Sequence, residues 1–242
     1  MALCLISGLP AQARVLLEFL HLQMGNFEEA EKHANAALSI QSDLLDFNNI
    51  NSDNAYPFDL LNDEVVFHST MYPFSQYIKI SPEFYDTYQT NDLRKDLFFS
   101  NEESLILFRG SYDANITLFA GIATDELYLI KAECEARNNR EDQALSTLNS
   151  FLETRWTTGA FVPYTQSENA LDDILKERRK SLLFRGLRWM DLKRLNLENV
   201  HTTTLERNLL GESYQLEPNS PKYAFPIPDD VISMSGIQQN VR

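Results

Sequence analysis

The sequence predicts a mainly α protein, in which helical hairpins carry an irregular, loop-rich layer with a few short strands. Three observations lead there. Apolar residues recur at three- and four-residue steps in two pairs of segments, each pair joined by a polar break. Eight glycines and nine prolines in 242 residues leave few tight turns for an all-β fold. Residues 41–123 are crowded with Asn, Asp, Ser and Pro between short apolar pieces, which suits loops and short strands. With 43% hydrophobic and 23% charged residues, the chain is expected to bury a packed core.

In residues 13–24 the spacing of Ala13, Leu16, Leu17, Leu20 and Met24 predicts a helix with one buried stripe, ended by Gly25-Asn26. A second helix over residues 27–40 carries Phe27, Ala30, Ala34, Ala37 and Leu38 on one face. Glu28 and Glu29 fall in its first turn, where carboxylates favour the helix dipole. The pattern returns at an offset of 114: a helix over residues 125–137, the break Asn138-Asn139, and a helix over residues 141–154 with Ala144, Leu148 and Phe151. That offset sets Gly25 on Asn139, Ala30 on Ala144 and Ala37 on Phe151. Both hairpins resemble the tetratricopeptide pattern of a small turn, an acidic residue and a packing alanine, so tetratricopeptide-like hairpins are expected. Two copies so far apart do not make a continuous solenoid.

Between the hairpins, residues 64–67 and 105–108 read as strands and residues 82–90 as a short helix. A strong helix over residues 168–184 has Leu171, Ile174, Leu175, Leu182 and Leu183 as its stripe and residues 176–180 as its solvated face. Gly186 interrupts it before a further turn or two over Arg188–Leu195. The tail, residues 218–242, reads as extended or looped, because Pro221, Pro226 and Pro228 remove donors and restrict the residues before them.

With 35 Asp and Glu against 21 Lys and Arg, the net charge is −14, and only residues 176–180 concentrate basic side chains. That argues against a nucleic-acid partner. No run of about 18 apolar residues could span a bilayer. The first fifteen residues lack a basic stretch, so they do not read as a signal peptide, and Met1 to Leu3 do not form a lipoprotein cleavage site before Cys4. Cys4 and Cys134 lie far apart, and His21, His33, His68 and His201 are scattered, so neither a disulfide nor a metal site is expected. No nucleophile elbow, Walker loop or dinucleotide fingerprint is present. The adjacent pairs Glu102-Glu103 and Asp229-Asp230 do not supply carboxyls opposed across a sugar, so no catalytic residue and no cofactor are assigned.

Aromatic residues are the informative feature. Tyr72, Phe74 and Tyr77 cluster in the loop-rich middle, and Trp156, Phe161 and Tyr164 follow the second hairpin. Exposed rings beside Asn and Gln donors suit carbohydrate, whose C–H faces stack and whose hydroxyls hydrogen-bond. The candidate ligand-binding residues are Tyr72, Phe74, Tyr77 and Trp156; the alternative is that these rings pack loops onto helices. Trp189 is expected to be structural.

The segment Glu177-Arg178-Arg179-Lys180-Ser181-Leu182-Leu183-Phe184-Arg185-Gly186-Leu187-Arg188-Trp189-Met190-Asp191-Leu192-Lys193-Arg194 closely resembles the E-R-R-x-E-L-x-F-E-G-x-R-W-x-D-L-x-R signature of the SusD/RagB family of outer-membrane nutrient-binding lipoproteins. Ser181 and Arg185 stand where that family usually has Glu, at positions expected to be surface or salt-bridge sites. Further pieces follow in the family's order. They are Ala13-Arg14 with Gly25, Phe27 and Ala30; Asp92-Leu93-Arg94; Glu126 to Glu133; Asn149 with Arg155; and the closing Pro226-Ile227-Pro228 with Gln239-Asn240.

The resemblance implies that residues 1–242 are a single SusD-like domain, the C-terminal portion of a longer one whose signal and first helices are absent. It implies a non-catalytic protein on the extracellular face of the outer membrane. Such a protein captures an oligosaccharide or similar nutrient for a TonB-dependent, SusC-type transporter and meets the membrane only through a lipid anchor absent from this chain. The rival classes are a tetratricopeptide scaffold that grips peptides and a carbohydrate-active hydrolase.

Overall fold

The structure, a computed structural model, describes residues 11–73, 75, 78–102 and 105–242. The chain divides into two compact units, Met1–Gly186 and Leu187–Arg242. In order, the first contains α1 (Ala11–Gln23), α2 (Phe27–Leu38), β1 (Val65–Phe67), β2 (Thr70–Met71), α3 (Pro82–Tyr85), α4 (Arg94–Phe98), β3 (Phe99–Glu102), β4 (Leu105–Phe108), β5 (Leu118–Phe119), β6 (Ile122–Ala123), α5 (Thr124–Arg137), α6 (Glu141–Glu153) and α7 (Ala170–Ser181). The second contains α8 (Arg188–Leu195), β7 (Leu205–Leu209), β8 (Glu212–Leu216) and α9 (Asp229–Ser235). The fold is mainly α, as expected, with helical hairpins, loops and short strands.

The pairs α1–α2 and α5–α6 are the two hairpins, and the 114-residue offset holds at the backbone. Gly25 and Asn139 both turn in the left-handed region, at φ of 73° and 59°. Glycine enters that region without penalty and asparagine more readily than most residues. Helix α5 is central, packing against α1, α2, α6 and α7. Its Leu127, Leu129, Ile130, Ala132 and Cys134 are buried, Cys134 as a small core residue; Cys4 lies outside the described residues.

Helix α1 is turned the other way from its expected orientation. Leu16, Leu20 and Met24 are 54%, 46% and 68% exposed, whereas Val15, Glu18 and Leu22 are buried. Tertiary packing chose the face that carries Glu18. Helix α3 stops at Tyr85, short of the expected residue 90, and α4 starts a new turn at Arg94.

Helix α7 runs Ala170–Ser181, inside the expected bounds. Asn169 caps it by accepting the Asp172 N–H at 3.1 Å, and Asp172 with Asp173 suits its positive end. Its expected solvated face is largely buried: Glu177, Arg178 and Lys180 are covered, and only Lys176 and Arg179 are exposed. They are covered because each has a partner, as buried charges need. Arg178 reaches Glu126 at 3.3 Å, and Lys180 and Glu177 join Arg94 and Asp92. Ser181 accepts a hydrogen bond from Arg94 at 2.7 Å, and Arg185 grips Asp125 with two bonds of 2.7 Å. Both positions are therefore polar-network sites in the interior, and Arg185 is a salt-bridge site as expected.

The loop-rich layer has its own core of rings, with Phe47, Phe58, Tyr88, Phe98, Phe99, Tyr112 and Phe119 all buried together. Its strands form three separate antiparallel pairs, β1–β6, β2–β5 and β3–β4, the last in register from Phe99 opposite Phe108 to Glu102 opposite Leu105. Arg155 ties the layer to the helices. Its guanidinium lies 4.2 Å from the ring centre of Phe47 and 4.6 Å from that of Phe151, donates to Leu45 O at 2.6 Å and meets Glu64 at 2.5 Å.

Within the first hairpin, the rings of His21 and His33 stack at 5.5 Å, with 11° between their planes. Burial, and then the neighbouring His21, push the His33 pKa down. The folded state thus resists a proton that the unfolded chain accepts near pH 6.5, and stability should fall as pH drops below that value. Urea midpoints of the wild type and His33→Phe should converge at pH 8 and separate below pH 6, with the wild type losing more; equal acid losses would refute the assignment.

In the second unit, Trp189 is half-buried between Tyr223, 4.7 Å away, and Phe225, 5.5 Å away, and donates its Nε1–H to Tyr223 O at 3.3 Å. The tail departs from the extended expectation. A helical turn at Pro221–Tyr223 precedes α9, which Asp229 and Asp230 open and Gly236 closes at φ 69°. Gly236 supplies the left-handed residue that commonly ends a helix. Gln239 clamps Ile227 by accepting from its N–H at 2.8 Å and donating to its carbonyl at 2.9 Å, which is the structural content of the Pro-Ile-Pro and Gln-Asn pieces. The β7–β8 hairpin had no sequence expectation. Leu210 and Gly211 form its tip, both at positive φ, as a tight two-residue turn between right-twisted strands requires.

Candidate ligand-binding site

Helix α6 has two unlike faces. Ala144, Leu148, Phe151 and Leu152 are buried, while Asp142, Ser146, Asn149, Ser150 and Glu153 follow at helical spacing along the other side. After the helix the chain doubles back across that polar side. Asn149 fixes the return by donating to Tyr164 O at 2.9 Å and accepting from Tyr164 N at 2.8 Å. Between helix and returning loop lies a cleft of about 360 Å³, lined also by Phe161, Pro163, Tyr164 and Thr165.

Trp156 stands at the start of this loop, half-buried, with its ring 5.8 Å from that of Phe161. Its backbone is anchored: Asp92 pairs with it across a β-bridge, Asn48 Nδ2 donates to its carbonyl at 3.0 Å, and Leu93 N donates to Arg155 O at 2.9 Å. Gly159, at φ 77°, gives the loop its turn. Burial, and then the carboxylates of Glu177 and Asp173, push the Tyr164 hydroxyl up to about 12, so it stays a proton donor at neutral pH.

Of the candidate residues, Trp156 adjoins the cleft through Phe161. Tyr72 is 81% exposed and does not line it, and Phe74 and Tyr77 lie outside the described residues. Phe161 and Tyr164 stood among the loop aromatics of the sequence but not among the chosen site residues. The polar spacing 142, 146, 150, 153 was visible too, but the loop that roofs it is a tertiary feature. A second, more open cleft of about 580 Å³ is lined by Glu28, Glu31, Lys32, Asn35, Asn138 and Arg140; no ring lines it, and Arg140 is engaged with Glu31. Among the described residues no group of His, Cys, Asp and Glu could hold a metal, and no helix is long and apolar enough to cross a membrane.

Fold and cleft together define a class: a tetratricopeptide-like helical scaffold presenting an aromatic, polar-edged cleft beside its second hairpin. Residues 124–242 match the family model described as the SusD family. Solved structures share the fold over most of the chain. A SusD superfamily protein from Bacteroides thetaiotaomicron matches 95% of this chain and 57% of its own length, at 16% identity and TM-score 0.67. A SusD-like carbohydrate binding protein from Bacteroides vulgatus matches 91% and 57%, at 19% identity and TM-score 0.62. Surface glycan-binding protein A from Bacteroides uniformis matches 94% and 59%, at 16% identity and TM-score 0.60. Residues 124–242, just under half of the chain, are thus similar to the SusD family, and SusD-like structures share the fold of nearly all of it. It spans 57% and 64% of the length of the first two structures it matches. No curated protein sequence matches it.

Proposed function

We propose that the protein is a non-catalytic glycan-binding component of an outer-membrane nutrient-uptake system. It holds an oligosaccharide at the cell surface and passes it to a SusC-type, TonB-dependent transporter. The observation that carries this reading is the cleft beside α6. Phe161 and Tyr164 offer ring surface to a sugar's C–H face, and Ser146, Ser150, Thr165 and two carboxylates offer hydrogen bonds to its hydroxyl rim. The match of residues 124–242 to the SusD family supports it, as do the structures named for carbohydrate and glycan binding. That the 242 residues belong to one SusD-like domain is supported by matches reaching 96% of the chain.

Calorimetric titration against a panel of oligosaccharides tests the reading. Phe161→Ala should weaken binding by about 1–3 kcal/mol, taking base–aromatic stacking as the scale. Trp156→Ala should weaken it through loss of support to Phe161, with Tyr72→Ala, Phe74→Ala and Tyr77→Ala as the other candidate platforms. Incubation with the bound glycan should release no reducing sugar. Unchanged affinity in all five variants, with folding intact, would remove the site from this part of the chain.

A further inference from the structure

The geometry points to a cleft that admits uncharged glycans and turns acidic ones away, an inference that rests on the binding role proposed above. Asp142 and Glu153 are both exposed cleft residues on α6, eleven positions apart. At 1.5 Å of rise per residue they stand about 16 Å apart along the helix axis, one toward each end of the cleft. Leu145, Ser146, Asn149, Ser150, Pro163 and Thr165 bring no positive charge between them, and among the described residues no lysine or arginine lines the cleft.

A neutral sugar suits this arrangement. Its hydroxyls donate to the two carboxylates in charge-assisted hydrogen bonds, which are stronger than neutral ones. A uronate or sulfate group would instead meet like charge at contact distance with no guanidinium or ammonium to pair with, and a desolvated anion without a partner binds poorly. The net charge of −14 acts in the same sense from further away, slowing the approach of a polyanion in a salt-dependent manner. The second cleft does hold Lys32 and Arg140, but it has no stacking surface, and Arg140 is engaged with Glu31.

The test titrates the full chain with neutral hexasaccharides (laminari-, cello-, xylo- and mannohexaose) and with acidic ones (oligogalacturonate, alginate and chondroitin sulfate), at low and at high salt. The best acidic ligand should bind on the order of tenfold more weakly than the best neutral one. That gap should narrow at high salt and in the double variant Asp142→Asn/Glu153→Gln. An acidic hexasaccharide binding as tightly as the best neutral one, while Phe161→Ala still weakens both, would overturn the charge selection and leave the binding role standing. A gap indifferent to the double variant would also overturn it. Binding to neither panel, or binding indifferent to Phe161→Ala, would overturn the proposed site itself.

Discussion

Replacing Arg94 with alanine should lower the unfolding free energy by about 3–5 kcal/mol, the usual cost of stranding buried carboxylates by removing their partner. Arg94 is fully buried and spends its whole fork. Nε and Nη2 bind the two oxygens of Asp92 at 2.8 and 2.7 Å, Nη2 also binds Glu177 at 2.6 Å, and Nη1 binds Ser181 at 2.7 Å. Burial alone would push the Asp92 carboxyl up, but Arg94 beside it more than offsets this and holds it below the usual range. A carboxyl so depressed contributes stability that is present above about pH 4 and lost as pH falls through its folded value. The variant should therefore show less acid sensitivity than the wild type as well as a lower midpoint. Lys180, 3.1 Å from both Asp92 and Glu177, softens the loss but cannot replace a planar fork, so Arg94→Lys should recover only part of it. A denaturant series showing less than 1 kcal/mol of loss in Arg94→Ala would contradict the account. The backbone of Asp92 pairs with that of Trp156, so the variant should also loosen the loop over the cleft.

Glu18→Leu should have the opposite sign and raise stability by about 1–3 kcal/mol at neutral pH, the range for relieving a buried polar group of its missing partners. Glu18 is wholly buried, and neither of its oxygens takes part in a hydrogen bond among the described residues. Burial, and then the charge of Glu126, push its carboxyl well up, against a smaller pull from Arg178. A raised carboxyl favours the fold fully only below its unfolded value near 4.3, and that advantage is lost as pH rises through the folded value. The gain from leucine should accordingly be largest at neutral pH and narrow in acid. Glu18→Gln should gain less, because it buries an amide in the same place. A leucine variant that is less stable than the wild type at pH 7 would mean that Glu18 is satisfied in solution.

These two residues also show how far the sequence could be read. The hairpins were legible because α2 and α6 bury one side at helical spacing, α5 being buried nearly all round, and the 114-residue offset was visible as wording before Gly25 and Asn139 were seen to share a backbone conformation. Helix α1 was legible as a helix but not in its orientation. Leu16, Leu20 and Met24 make as good a stripe as Val15 and Leu22, and nothing local says that Glu18 goes inside. On α7, Glu177, Arg178 and Lys180 looked solvated because their partners Asp92, Arg94 and Glu126 lie tens of residues away. The cleft was half legible: its rings and polar spacing stood in the sequence, but the bond from Asn149 to Tyr164 that folds one over the other did not.

The strand pairs of the loop-rich layer have a consequence for how the molecule breathes. β1–β6, β2–β5 and β3–β4 share no strand; the Ala120 N–H donates to Ser69 O at 2.9 Å and links the first two pairs, while β3–β4 is a ladder of its own. What binds them into one body is the ring cluster around Phe47, Phe58 and Phe98 beneath. Backbone opening can therefore start in β3–β4, or in the linked β1–β6 and β2–β5, and stop there, at a cost set by a few bonds, whereas opening the ring cluster releases all of them at once. The layer is a mosaic of small, separately closing tiles on a common bed, able to reshape locally without melting as a whole.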